Sequence, residues 1–151
     1  MTRASRFLVA VLVVVLAVLA APAARAVTVE RVESPGGIEA WLVRDHTNPI
    51  ISVRFAFRGG GALDPVGKEG LANMASALLD EGAGELDSKA FQGKLEDLAI
   101  TLRFDAGRDT FGGRLKTLVE NADTAFRLLA LALTRPRFDP EPVARIRSQI
   151  I

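Results

Sequence analysis

Cysteine is absent from the 151-residue sequence, and histidine occurs once, as His46. The first absence excludes a disulfide framework, a thiolate nucleophile and a thiolate metal ligand. The second restricts hydrolytic chemistry, because a Ser-His-Asp arrangement needs its histidine beside a nucleophilic serine, and no G-x-S-x-G sequence provides one. Hydrolases that use a cysteine nucleophile or a Ser-His-Asp arrangement with G-x-S-x-G are therefore excluded for this stretch of chain.

An excess of positive charge is also lacking. Basic residues number 19 and acidic residues 18. Three of the basic residues, Arg3, Arg6 and Arg25, lie within residues 1–26, which contain no acidic residue. The remainder of the chain is thus slightly acidic, and nothing in its charge favours a nucleic-acid partner.

Residues 1–26 have the organisation of a secretory signal peptide. Arg3 and Arg6 form a basic n-region, residues 7–20 are an unbroken apolar run, and Ala24-Arg25-Ala26 resembles an A-x-A cleavage site. The run is shorter than the roughly 20 residues that a membrane-spanning helix needs. We therefore expect cleavage after Ala26, no stable membrane anchor, and a periplasmic or secreted product.

Residues 27–151 are expected to form one α+β domain, with antiparallel strands and helices packed on one face of the sheet. Alternation of residue types predicts strands over 27–33, 38–45, 51–58, 100–104 and 110–115. Helical periodicity predicts helices over 70–81, from Asp87 or Ser88, after a capping box at Thr117 to Glu120, and from Asp139-Pro140. The last helix has no stop signal before Ile151, so we expect the domain to be incomplete at its C-terminal end.

The same periodicities and the burial preferences of aromatic residues identify an expected core. In the strands its members are Trp41, Ile51, Val53, Phe55, Phe57, Ile100, Leu102 and Phe104. In the helices they are Phe91, Leu95 and Leu98, and Ala122, Phe126, Leu129 and Leu133 before Pro136. The last helix carries Val143, Ile146 and Ile150, which are expected to form an exposed apolar edge.

The polar residues outside this core give few candidates for chemistry. His46 precedes Thr47-Asn48-Pro49, where an exposed histidine without an orienting partner is typical. Gly59 to Gly61 lack the spacing of a phosphate-binding loop and are expected to form a flexible strand-to-helix connection. Asp80 and Glu81 are expected to be solvated acids in the last turn of a helix, where adjacent residues point about 100° apart and cannot share a proton. An unusual metal site built from His46 with Asp80 or Glu81 and further ligands is an alternative.

One helix has the pattern of a catalytic helix without its reactive groups. It lies in "GLANMASALLDEGAG", residues 70–84, and Leu71, Met74 and Leu78 form its apolar face. A second face at the same spacing is polar but offers no strong ligand or base; it consists of Asn73, Ser76 and Asp80.

This helix and its surroundings resemble the N-terminal domain of the insulinase-like zinc metallopeptidases, the family of pitrilysin and the mitochondrial processing peptidases. The resemblance depends on three runs: "NPIISVRFAFRGGGALDPVGKEGLANMASALLDEGAG", "DSKAFQGKLEDLAITLRF" and "LLALALTRPRFDPEPVARIRSQI". Their order and spacing indicate the family, although none of the three is diagnostic alone. The resemblance implies that residues 27–151 are the front part of an insulinase-like domain.

In active members of the family, the helix after the glycine loop carries H-x-x-E-H, in which two histidines bind zinc and the glutamate activates water. Alignment on "GLA" places these positions at Asn73, Ser76 and Ala77, none of which retains the ligand or the base. The family's third ligand is a glutamate on a later helix, and no acidic residue lies between Glu141 and Ile151, so this ligand is expected to be either absent or just beyond Ile151. The resemblance therefore implies no catalytic residue, metal ligand or cofactor in this chain, with zinc expected only in an active partner.

The resemblance also implies a role as the non-catalytic subunit of a two-chain peptidase. Such a subunit pairs with an active H-x-x-E-H subunit, completes a chamber and helps to bind extended peptide substrates, often by strand addition at a sheet edge. The alternatives are an interaction module without a proteolytic role and a metallohydrolase with an atypical site. Likeness of fold does not decide among them, because function depends on the site.

Overall fold

The computed structural model of the chain describes residues 27–150. These residues belong to two compact units, the first ending at His46 and the second beginning at Thr47. The expected signal peptide, residues 1–26, lies outside the described residues. No helix within residues 27–150 combines the length and the apolar content needed to cross a bilayer.

The first unit is a β-hairpin. β1 (Val29–Glu33) and β2 (Glu39–Val43) pair antiparallel, with Glu33 opposite Glu39. The turn between them is closed by a hydrogen bond of 2.9 Å from the Gly37 N–H to the Ser34 carbonyl oxygen. The hairpin predicted from the alternating residues and the Pro-Gly turn is therefore confirmed.

Trp41 of β2 is not a core residue. Its exposed fraction is 77%, and its ring N–H donates to Oε1 of Glu39 at 3.2 Å. The expectation of a buried tryptophan is wrong, because a two-stranded hairpin has no second layer within its own unit to cover the ring.

The second unit contains a three-stranded antiparallel sheet and four α-helices. The strands are β3 (Ile50–Arg58), β4 (Thr101–Ala106) and β5 (Thr110–Leu118), in the spatial order β3-β5-β4. The helices are α1 (Leu71–Leu78), α2 (Ser88–Asp97), α3 (Ala122–Thr134) and α4 (Pro140–Ile150). The predicted α+β class is confirmed, and each strand pair among the described residues is antiparallel.

The core lies between one face of this sheet and the helices α2 and α3. Leu102 of β4 and Leu115 of β5 lie opposite each other and are completely buried, as is Phe91 of α2. The other buried members of the cluster are Ala83, Leu95, Ile100, Ala125, Leu128 and Ala132. Because successive strand residues point to opposite faces, the neighbours of Leu102 and Leu115 point away from this core.

The aromatic residues of β3 meet the core only in part. Phe55 is half-buried, and its ring contacts Phe104 edge to face, with the ring centres 6.1 Å apart. Phe57 packs on Phe55 in the same way at 5.8 Å, yet 53% of its surface is exposed. The expectation of a buried Phe57 is wrong, because it lies near the end of an outer strand, where one side of its ring has no neighbour in the described unit.

The buried stripe of α3 differs from the predicted one. Ala125, Leu128 and Ala132 are buried, whereas Phe126 is 43% exposed. The remaining residues of the predicted stripe, Ala122, Leu129 and Leu133, are half-buried. Leucine and alanine occupy so many positions of α3 that two stripes, about 100° apart, satisfy the helical period. The period predicts the helix correctly but cannot identify the face that it buries.

Thr117 does not cap α3. β5 continues to Leu118, which lies opposite Ile50, and the Thr117 hydroxyl donates to the Leu118 carbonyl oxygen at 3.3 Å. α3 begins at Ala122, after a short 3₁₀ turn, and its N-cap Asn121 makes no side-chain capping bond. The predicted capping box is wrong, because pairing with β3 keeps the segment extended.

α4 begins at Pro140, as predicted. Pro142 and Ile146 are buried, while Ile150 is 42% exposed. The expectation that Ile146 forms part of an exposed edge is wrong. α4 packs against α1, and packing of two helices covers one face of each.

The glycine triplet after β3 is fixed to the turn between β4 and β5. The Gly59 N–H donates to the Asp109 carbonyl oxygen and the Gly61 N–H donates to the Gly107 carbonyl oxygen, both at 2.9 Å. Gly60 has a φ of +111°, and a Cβ at this position would collide with backbone oxygens of the turn. The triplet is a hydrogen-bonded junction, and the expectation of a flexible connection is wrong.

Candidate functional site

The helix α1 begins after Gly70, which adopts the left-handed conformation. The Asp64 carboxylate accepts hydrogen bonds from the Gly70 N–H at 2.7 Å and from the Ala72 N–H at 2.9 Å. It therefore satisfies N–H groups that a helix leaves free at its N-terminus. Sequence reasoning missed this cap, because the carboxylate lies six residues before Gly70 and sequence signals for caps are local.

The three positions aligned with the family's zinc motif follow on α1. Asn73 is exposed, Ser76 is 3% exposed and Ala77 is half-buried. The Ser76 hydroxyl donates to the Asn73 carbonyl oxygen at 2.7 Å, so its hydrogen is used within the helix. Ala77 has no donor atom, and a side-chain amide is a poor zinc ligand. These residues do not fit a zinc ion, and none can act as a carboxylate base.

Asp80 lies just beyond the end of α1 and is 8% exposed. Its Oδ2 is 2.9 Å from Nη1 of Arg103. Arg103 follows the buried Leu102 on β4, so its side chain leaves the sheet on the face opposite the core. The expectation of a solvated acid in the last helical turn is wrong for Asp80, because β4 supplies a cation that sequence patterns could not place beside it.

Glu81 connects α1 to two other helices. Its Oε2 accepts a hydrogen bond of 2.6 Å from the Ser88 hydroxyl of α2 and lies 2.6 Å from Nη2 of Arg145 on α4. Glu81 therefore binds the end of α1 to its neighbours, and the expectation of a solvated acid fails here too.

Asp80→Asn is expected to change how stability depends on pH. Burial raises the pKa of the Asp80 carboxyl above its ordinary value of 3.8; Glu81 adds to the rise, and the Arg103 charge opposes it. The folded protein thus holds this proton more tightly than the unfolded chain. The resulting contribution to stability is complete below pH 3.8 and is lost as the pH rises through the raised pKa.

Because the asparagine does not titrate, the free energy of unfolding of the variant relative to the unchanged protein should increase with pH above 3.8. Urea unfolding at a series of pH values measures this difference. Glu96→Gln, which alters an exposed carboxylate of α2, is the control. A difference for Asp80→Asn that stays constant or decreases with rising pH would contradict the direction of the pKa shift.

The atypical metal site considered from the sequence gains no support from the described residues. His46 is exposed, and the carboxylates of Asp80 and Glu81 are engaged with Arg103 and Arg145. Within residues 27–150, no group of three or more His, Cys, Asp or Glu side chains is arranged to hold a metal ion.

Comparison with known proteins finds relatives among both sequences and solved structures. The chain is 32% identical over 107 residues to a Helicobacter pylori protein named non-peptidase homolog YmxG, a match that covers 71% of this chain and 25% of that protein. It also resembles the solved structure of a peptidase M16 inactive domain from Pseudomonas fluorescens, with a TM-score of 0.72, 25% identity, and coverage of 82% of this chain and 30% of that one. The chain belongs to the insulinase-like peptidase family.

The fold of this insulinase-like chain is also similar to that of a protease from Helicobacter pylori, with a TM-score of 0.68, 19% identity, and coverage of 83% of this chain and 30% of that one. No family model matches the sequence. The chain thus spans about a quarter of the length of YmxG and 30% of each solved chain.

Two of these relatives carry the words non-peptidase and inactive in their names. The sequence of the insulinase-like chain agrees with these names, because H-x-x-E-H requires two histidines and the 151 residues contain one. The lack of H-x-x-E-H in these residues is therefore consistent with the names of the two relatives.

Proposed function

We propose that the protein is a catalytically silent insulinase-like subunit that pairs with a separate zinc peptidase and helps to bind extended peptides. The main support for the proposal is that α1 keeps its structural contacts but lacks the residues of the zinc motif. The helix keeps its Asp64 cap and its contacts through Asp80 and Glu81, while Asn73 and Ser76 stand at the motif positions. A helix retained for packing without its chemistry suits a subunit that completes a structure.

In this proposal, all zinc chemistry belongs to the partner, which carries H-x-x-E-H. The residues of α1 supply neither ligand nor base, so the contribution of this chain is shape and binding surface. The inactive subunit holds an extended peptide against the chamber while the partner cleaves it.

The outer strands support the peptide-binding part of the proposal. Among the strands described for the second unit, β3 and β4 each have a neighbour on one side only. An extended peptide can add to such an edge through backbone hydrogen bonds. β3 is nine residues long and could pair with a peptide segment of similar length.

We also propose that the protein is exported by means of a cleaved signal peptide. The basic n-region, the apolar run and the Ala24-Arg25-Ala26 sequence support cleavage after Ala26 and a periplasmic or secreted location. The partner would have to carry an export signal of its own.

Gentle affinity purification of the tagged, intact protein from its native envelope tests the proposal. We expect an equimolar insulinase-like relative with H-x-x-E-H, zinc in that partner, and a mature N-terminus at Val27 in mass spectrometry. The complex should cleave unfolded peptides in a chelator-sensitive way, and the isolated protein should not.

Cleavage by the isolated protein, sensitive to chelators, would refute the silent-subunit proposal. Recovery of a stable partner that is not a peptidase, together with no peptide binding, would instead favour the interaction module. The relative named non-peptidase homolog is compatible with either outcome, so partner identity is the deciding measurement.

A further inference from the structure

The face of the second unit's sheet that points away from the core carries a row of three arginines. Arg54 of β3 lies directly opposite Arg114 of β5, and Arg114 lies directly opposite Arg103 of β4. All three are exposed. Like charges directly opposite each other on neighbouring strands destabilise a sheet, so this arginine row does not favour folding.

The charge of this face is not balanced by the described residues around it. The basic residues on it are Arg54, Arg58, Arg103, Arg114 and Lys116, and the single acid on it is Asp105. Arg103 is paired with Asp80, but within residues 27–150 neither Arg54 nor Arg114 forms a side-chain hydrogen bond or ion pair. Two guanidinium groups are thus available to an anionic ligand.

A groove runs beside the arginine row. The next residues on this face are Ala56, Gly112 and Asp105, which are aligned across the three strands. Because Ala56 and Gly112 lack long side chains, they leave an open depression of about 310 Å³ that Arg54 borders. Arg54 and Asp105 both border this space, and Arg114 lies next to Arg54 on the neighbouring strand.

We propose that the arginine row selects acidic extended peptides. This inference rests on the proposed peptide-binding function and specifies its substrate class. A guanidinium binds a carboxylate through paired, charge-assisted hydrogen bonds, so Asp or Glu side chains of the peptide pair with Arg54 and Arg114. Arg103 joins the row to Asp80 at the end of α1, which places the acidic selection beside the helix with the degenerate motif.

Fluorescence anisotropy on the intact protein tests the selection with three labelled peptides of equal length, built from Glu and Ala, Ser and Ala, or Lys and Ala. We expect the Glu peptide to bind about tenfold more tightly than the Ser peptide at low ionic strength, with a smaller ratio at high salt. The Arg54→Gln/Arg114→Gln double variant should lose this preference, because each exposed charge pair contributes up to about fivefold. Arg127→Gln, at an exposed position of α3, should keep it.

The outcomes separate this inference from the proposed function. Equal binding of the three peptides, unchanged in the double variant, overturns the acidic selection and leaves peptide binding intact. Absence of binding by all three overturns peptide binding and selection together, while recovery of the partner still decides the pairing. If the double variant loses its partner and the Glu peptide does not bind, the row instead docks an acidic surface of the partner. Removal of mutually repelling charges should not weaken the fold, which a thermal unfolding curve verifies.

Discussion

Replacing Phe91 by alanine is expected to lower the free energy of unfolding by about 3–5 kcal/mol. Phe91 of α2 is completely buried in the cluster that contains Leu102 and Leu115. Its removal takes away the apolar contacts of a whole ring and leaves a cavity, because close-packed neighbours relax only in part. The loss approaches the whole stability of an ordinary small domain, so partial unfolding at room temperature is an expected result.

Urea unfolding of the purified protein measures this loss, with Phe126→Ala as the matched control. Both substitutions remove a phenyl ring from a helix, but Phe126 is 43% exposed. The Phe126→Ala control should lower the free energy of unfolding by about 1 kcal/mol or less, as is usual for partly exposed surface positions. Equal costs for the two variants would mean that α3 buries the stripe predicted from the sequence and that its observed orientation is incorrect.

Gly60→Ala is expected to have the second largest effect, a loss of about 2–4 kcal/mol. Gly60 combines a φ of 111° with a ψ of −156°, a region of backbone conformation that is essentially restricted to glycine. A Cβ at this position would also lie 2.8 Å from the Thr110 carbonyl oxygen and closer still to that of Gly107. Relief of these contacts requires β3 and the β4–β5 turn to separate.

The adjacent glycine supplies the control for this prediction. Gly61→Ala introduces the same methyl group one residue later, where the nearest atom, the Gly107 carbonyl oxygen, would be 3.7 Å away. We expect Gly61→Ala to change the free energy of unfolding by less than about 1 kcal/mol. Thermal unfolding distinguishes this change from the effect of Gly60→Ala. If both variants were equally stable, the glycine triplet would be the loose connection that its sequence suggests.

Local patterns predict much of this fold because the interactions behind them are local. The Asp87 carboxylate accepts from the Ala90 N–H at 2.8 Å, which is why α2 starts at Ser88 as predicted. The alternation of side-chain direction in β3 and the turn of the hairpin are also determined by interactions among a few neighbouring residues. Elements defined by such short-range physics can be located from the sequence alone.

Contacts between distant elements could not be predicted in this way. Arg103 lies 23 residues from Asp80, and Arg145 lies 64 residues from Glu81. The sequence shows that two acids follow a helix, but only the packing of β4 and α4 brings a cation to each. The face that α3 buries and the continuation of β5 through Thr117 depend on the same long-range packing.

The sequence predicts which reactive side chains the candidate site lacks. It does not predict which of the remaining side chains are buried. The loss of H-x-x-E-H is evident from Asn73, Ser76 and Ala77 in the sequence. The polar face expected at these positions differs in the structure, since Ser76 and Asp80 are buried. Burial of short polar side chains has no local sequence signature when their hydrogen bonds are made to backbone or to distant residues.

The burial of Ser76 makes the absence of the motif's glutamate difficult to reverse. A glutamate at this position would bring a carboxylate to a place where the serine is 3% exposed. A charged group buried without a partner costs several kcal/mol, which the zinc-binding histidines would offset only after all three substitutions were in place. A Ser76→Glu substitution alone would therefore make the protein less stable, so the glutamate of the motif could not return as a first single mutation without a loss of stability.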